Sequence, residues 1–226
     1  FPIIVIITAF SNLFGTGGAP LFSIFRGKKD PDTARRIMNT SFTMLCVCAV
    51  ILMAVGFLFA RPILILFGAS AEAIVYAYPY MMLYLIGTLP SMIAVGMNPF
   101  INAQGYSSIG MLSVAIGAGT NLVLDPLFIF ALGLGVRGAA IATVLADVVG
   151  AGMLFHYLRR ETGPVRVELS QLKLDRKLAG AILYTGIPAA VQGMMFNIAN
   201  VIIQTGFNRL GSQVVAASTI GVTAEI

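Results

Sequence analysis

The chain has 226 residues, of which 58% are hydrophobic and only 10% charged, with a mean hydropathy of +0.92. Soluble domains carry about 25% charged residues, so this composition excludes the ordinary water-soluble class and predicts an all-α, polytopic membrane protein. The net charge of +5 is no nucleic-acid signal, because eleven of the fourteen basic residues fall in two short stretches, 26–36 and 159–177. The expected surroundings are a lipid bilayer, not a nucleic acid.

A membrane-crossing helix needs about 20 apolar residues. In chain order, the first apolar run covers about 1–25 and ends at the hydrophilic stretch Arg26–Arg36. The second covers about 37–60 and is expected to close at Arg61-Pro62. The third, about 73–103, holds Pro79, Pro90 and Pro99 and is expected to bend. Asn102-Ala-Gln-Gly-Tyr106 turns into the fourth, about 108–132, and the glycine-rich corner 133–138 into the fifth, about 138–158. A polar loop, 159–177, leads to the sixth, about 178–207, with an interruption expected at Gly186-Ile-Pro188. A seventh run starts near Ser212. The chain opens inside one apolar run, with no recognisable signal-peptide pattern, and stops inside another. It is therefore expected to be a piece of a longer polytopic protein.

An even number of crossings separates the two basic stretches, which places both on one side. By the positive-inside rule that side is cytoplasmic, in a multi-pass protein of the inner (plasma) membrane. The 61–72 turn and the 133–137 corner then face outward.

The chemistry concentrates in Asn121-Leu-Val-Leu-Asp125-Pro126. Asn121 and Asp125 are one turn apart on one helix face. A carboxylate at mid-membrane costs roughly 2.5–3.5 kcal/mol on insertion scales and usually marks a transport path or a proton relay. Thr143 and Asp147 repeat the i, i+4 spacing on the next helix. Counted from the corner near residue 135 at about 1.5 Å per residue, all four side chains lie at overlapping depths. The alternative is a structural hydrogen-bonded helix pair.

Other signals are weaker. Asn197, Asn200 and Gln204 share a helix face, with Gln192 nearby, and either line an aqueous cavity or hold helices together. Cys46 and Cys48, two apart in an apolar run, read as packing residues rather than metal ligands. His156, beside Arg159 and Arg160, reads as an interfacial residue. Gly133-x-Gly135-x-x-Gly138 matches a dinucleotide fingerprint, but it lies between two apolar helices rather than in a βαβ unit, so it reads as a tight corner. No nucleophile–base set, metal cluster or phosphate loop is legible, and no enzyme or cofactor is expected.

Several blocks resemble the multidrug and toxic compound extrusion (MATE) transporters. They are Gly17-Gly18-Ala-Pro-Leu-Phe-Ser23 through Arg26-Gly27-Lys-Lys-Asp30, Asn102-Ala-Gln104-Gly105, Asn121-Leu-Val-Leu-Asp125-Pro126-Leu-Phe-Ile-Phe130, Gly135-Val-Arg-Gly138-Ala-Ala-Ile-Ala-Thr143 and Gly186-Ile-Pro188. The resemblance implies part of a twelve-helix, two-lobed transporter. Residues 1–160 would be helices two to six of the amino-terminal lobe, 161–177 the cytoplasmic inter-lobe loop, and 178–226 helix seven and the start of eight. It implies a monomeric antiporter, coupled to H⁺ or Na⁺, that exports cationic or amphipathic drugs. In the DinF-like branch, Asn121, Asp125 and Thr143 match positions of the cation-responsive cluster, whereas Asp147 matches no usual family position. That branch also uses a carboxylate on helix one, which precedes this chain. Another branch carries a Glu on helix seven, near where this chain has Phe196-Asn197. The alternative function is export of lipid-linked saccharides by a member of the same superfamily.

Overall fold

The computed structural model describes residues 2–67, 71–160 and 174–209, and every regular element among them is helical. The α1 helix (Pro2–Gly27) is joined to α2 (Pro31–Leu66) by a turn of only three residues. Lys29 takes a left-handed conformation (φ 59°) there, and Asp30 N–H bonds the Phe25 carbonyl while Lys29 N–H bonds that of Arg26. This closes α1 as a Schellman motif. Asp30 then caps α2 by accepting from Thr33 N–H at 3.0 Å, with Pro31 at the first helical position. The basic stretch 26–36 is thus mostly helix.

The α2 helix does not stop at Arg61-Pro62 as the sequence suggests. It runs on to Leu66 through a kink at Phe59 (φ −114°, ψ 19°). Pro62 has no N–H for the Leu58 carbonyl and crowds it, but the apolar residues that follow keep the helix going.

The third apolar run is two helices, α3 (Ala71–Ile86) and α4 (Thr88–Ala103), bent by 58° at Gly87. Pro90 leaves the Ile86 carbonyl without its helical donor, and the chain tightens through Gly87 N–H to Tyr84 O at 2.9 Å. Pro79 and Pro99 are carried inside helices without a break. A Cβ on Gly87 would stand 2.6 Å from Val144 Cγ2, so the bend is held against α6 (Val136–Arg160).

The α5 helix (Ser107–Pro126) passes into one π-helical turn, Leu127–Ala131, directly after the proline. Gly133 and Gly135, both at positive φ, make the corner, and Gly138 sits against the Phe128 backbone. The corner therefore joins two helices, as expected.

The last described helix is α7 (Arg176–Arg209), started by Asp175, whose carboxylate accepts from the N–H groups of Lys177 and Leu178. It runs through Gly186-Ile-Pro188 without the expected interruption. Gly186 fills another role, packing against Leu13 and Gly17 where α7 crosses α1. A Cβ on Gly17 would lie 2.5 Å from the Ile182 carbonyl oxygen and 2.8 Å from Gly186 Cα. The start of the next helix, near Ser212, and most of the 159–177 loop lie outside the described residues.

The core gathers Phe22, Ile37, Leu45, Met97, Phe100 and Ile182 around α1, α2 and α4, with Phe22 and Phe100 edge to face at 5.7 Å. Among the described residues, four helices (α1, α2, α5 with its π turn, and α6) are long and apolar enough to cross a membrane, and the α3–α4 pair makes a fifth if counted as one span. Exposed Leu122, Val123 and Phe130 on the outer side of α5 suit contact with lipid. Arg36 pairs with Asp175, and Arg26 donates to the Ala103 carbonyl at 3.0 Å. These contacts collect the α1–α2 turn, the α4–α5 turn and the start of α7 at one end, in agreement with the charge count.

Two expectations follow. Gly17→Val in the full-length protein should push α1 and α7 apart, costing about 1–3 kcal/mol and lowering the thermal midpoint in detergent. Gly152→Ala, where a Cβ meets nothing within 4 Å, should leave that midpoint in place. The Leu178 N–H, then the Lys177 N–H and Arg36, hold the Asp175 carboxyl below the usual carboxylate range. A carboxyl with a depressed folded-state pKa contributes stability above its unfolded value and loses it as pH falls through the folded value. The midpoint difference between wild type and Asp175→Asn should therefore be constant from about pH 8 to 5 and close below about pH 4.

Candidate functional site

The α5 and α6 helices lie back to back through small residues. A Cβ on Gly117 would meet the Ala146 carbonyl oxygen at 3.6 Å, and one on Gly150 the Ser113 carbonyl oxygen at 3.5 Å. At that separation the polar side chains reach across. Asn121 Nδ2 lies 3.4 Å from Asp125 Oδ1 and 3.5 Å from Thr143 Oγ1, both long hydrogen bonds. Thr143 spends its single hydroxyl proton on the Ala139 carbonyl at 2.9 Å, so it accepts from Asn121. The amide donates to both neighbours, and the Asn121 Oδ1 atom is left as a further acceptor.

A third helix joins this set. The Tyr80 side chain, on α3, lies beside Thr143, and the Tyr80 ring stacks on Tyr84 with centroids 6.1 Å apart and planes within 7°. Tyr84 is buried and lies beside Ser91, at the start of α4, and Ser91 lies beside Asp147. The four residues singled out from sequence are thus brought into one region but divided between two networks. Asn121, Asp125, Thr143 and Tyr80 form one, and Asp147, Ser91 and Tyr84 the other. Tyr80, Tyr84 and Ser91 were not legible as site residues. The signal available was the i, i+4 spacing of the two tyrosines, the same as in the 121/125 and 143/147 pairs.

A cavity of about 500 Å³ lies between α4, α5 and α6, walled by Asn98, Ser113, Asn121, Thr143 and Asp147 among apolar neighbours. A second, of about 760 Å³, shares Asn98, Val114 and Ala118 with it and continues past Asn102 to Ser107 and Ser108. Asp125 lines neither. Gln192 is exposed on α7 and lines neither cavity, while the side chains of Asn197 and Asn200 are outside the described set. His156 is exposed near the basic end.

The sequence pattern of the MatE family matches residues 1–127, more than half of the chain. The chain belongs to the MatE family. It is 25% identical over 216 residues to the multidrug export protein MepA of Staphylococcus haemolyticus (strain JCSC1435), a match covering 96% of this chain and 48% of that protein. It also superposes on the crystal structure of a MATE protein in complex with MaD3S, with a TM-score of 0.86 and 26% identity over 97% of this chain and 50% of the other. Inward-facing and outward-facing conformations of a multidrug resistance MATE family transporter of the MOP superfamily match with TM-scores of 0.79 and 0.81. Their identities are 27% and 26%, over 84% and 91% of this chain and 43% and 46% of those chains. The chain spans about half the length of the relatives it matches.

Asn121→Ala and Thr143→Val should each remove the hydrogen bond between these two side chains, worth about 0.5–1.5 kcal/mol, together with the bonds each makes on its own helix. Because the two side chains share that bond, the double variant should lose less than the sum, which a double-mutant cycle of denaturation midpoints would measure.

Proposed function

We propose that this chain is the amino-terminal lobe, less its first helix, and the start of the carboxy-terminal lobe of a monomeric, cation-coupled antiporter of the inner membrane. The lobe division falls in the 161–177 loop. The whole protein exports cationic or amphipathic drug-like molecules in exchange for H⁺ or Na⁺ by alternating access. The observation that carries this reading is Asp125. It is a carboxylate on an apolar span whose hydrogen-bond partner is a single amide, Asn121, with further oxygens from Asn121 and Thr143 alongside. A carboxylate with spare acceptor capacity in a low-dielectric setting binds a proton or a small cation strongly, and the negative charge it loses changes the forces on the helix that bears it. The π turn directly after Pro126 is the place where α5 can adjust to that change. Relatives of this fold occur in inward-facing and outward-facing conformations, which alternating access requires.

Recognition of a lipid-linked pyrophosphate would call for Arg or Lys inside the bundle. Arg61 and Arg137 instead stand near helix ends, with Arg61 over the Tyr78 ring at 5.5 Å. The polar interior is acidic, which suits a cationic cargo and a cationic coupling ion.

In proteoliposomes holding the full-length protein, drug efflux should follow an imposed H⁺ or Na⁺ gradient, applied separately. Asp125→Asn should reduce it to the level of protein-free vesicles while leaving the amount of inserted protein unchanged. Efflux by Asp125→Asn at the wild-type rate would remove Asp125 from the mechanism.

A further inference from the structure

Asp147 is the carboxyl inside the spans that the antiport reading does not need. It sits one turn beyond Thr143 on α6, half-buried, in the wall of the cavity between α4, α5 and α6. Ser91, in the first turn after the 58° bend, lies beside it, and Tyr84, in the last turn before the bend, lies beside Ser91. With the carboxyl ionised, a hydroxyl in that place can turn its proton toward the negative oxygen. The donor count decides the ligand. One carboxyl and one or two hydroxyls cannot replace the six or more oxygens a hard cation takes from its protein and water shell, whereas a proton needs one.

The charged surroundings favour neutralisation. Among the described residues of α3 to α6, the ionisable groups other than tyrosine are Glu72 near the start of α3, Asp125 on α5, and Arg137, His156, Arg159 and Arg160 toward the ends of α6. No cation therefore faces Asp147 from the helices packed around it, and the one acid at similar depth is Asp125. Tyr80, whose ring stacks on Tyr84, lies between the two acids. Access is also built in. The cavity at Asp147 shares Asn98, Val114 and Ala118 with the larger one, which reaches Ser107 and Ser108 at the end where the basic loops gather.

We propose that Asp147, with Ser91 and Tyr84, is a second proton-binding site in this lobe, separate from the Asp125 cluster and reached from the basic end through the two joined cavities. Taking up a proton converts one carboxylate to a carboxylic acid with no other bond changed. It removes a negative charge near Asp125 and so weakens cation binding there. The two acids then compete electrostatically for positive charge. The coupling to Asp125 rests on the antiport reading, but proton binding by Asp147 does not.

Infrared difference spectra of the full-length protein, recorded against pH, resolve the C=O stretch of each protonated carboxyl. The wild type should show two titrating components in the membrane region. Asp147→Asn should delete one, Asp125→Asn the other, and Asp147→Glu should restore the first at a shifted position. Ser91→Ala should move the midpoint of the Asp147 component and leave its amplitude. Ala118→Phe, which fills the junction of the cavities, should slow deuterium exchange of that component several-fold. If Asp147→Asn leaves every titrating component in place, Asp147 binds no proton and the proposal fails. Unchanged exchange in Ala118→Phe would overturn the route. Should Asp125→Asn transport normally while the Asp147 component persists, the antiport reading falls and this site stands.

Discussion

The contact between α5 and α6 is the one on which the polar site depends. A β-carbon at Gly117 or Gly150 would rest in ordinary contact on a carbonyl oxygen of the other helix, so small residues suffice there, whereas at Gly138 the Phe128 backbone leaves no room for one. Only at that separation does the short Asn121 side chain, bonded to Asp125 on its own helix, also reach Thr143 on the other. In lipid there is no hydrophobic force between helices, so close packing and interhelical hydrogen bonds hold the pair together. Here the two are the same surface: the small residues set the distance and the polar ones use it.

Three of the prolines change the course of a helix, each in a different way. Pro62 kinks α2 at Phe59, Pro90 leads to the 58° bend at Gly87, and Pro126 is followed by a π turn. The second matters most for chemistry. The bend swings α4 against α6 and puts Ser91 within reach of Asp147, while Tyr84 remains on the other arm. A straight helix over 71–103 would carry those two residues past each other at seven positions' separation. The broken span is thus both a lapse in backbone hydrogen bonding and the means of assembling a site.

The charges follow a complementary logic. Lysines and arginines collect at one end, where Asp30 and Asp175 start α2 and α7 and Arg36 ties the two together. The acids that remain in the spans have no basic partner among the described residues.

The sequence by itself determined the class, the number of apolar runs between the basic stretches, the common side of those stretches and the 121/125/143 constellation. Each rests on composition or on short-range periodicity, which a membrane helix obeys strictly because its backbone has no other way to satisfy its polar groups. Pattern alone misplaced the breaks. Of the prolines at 79, 90 and 99, one breaks the run, because Gly87 is the position where α6 supports the bend through Val144. Arg61-Pro62 reads as a stop and Gly186-Ile-Pro188 as an interruption, yet both lie inside helices. Pairing Tyr80 with Thr143, and Ser91 with Asp147, was decided only by the tertiary structure. Those contacts join residues 56 to 63 positions apart, whose meeting depends on crossing angles and on the Gly87 bend rather than on any local spacing.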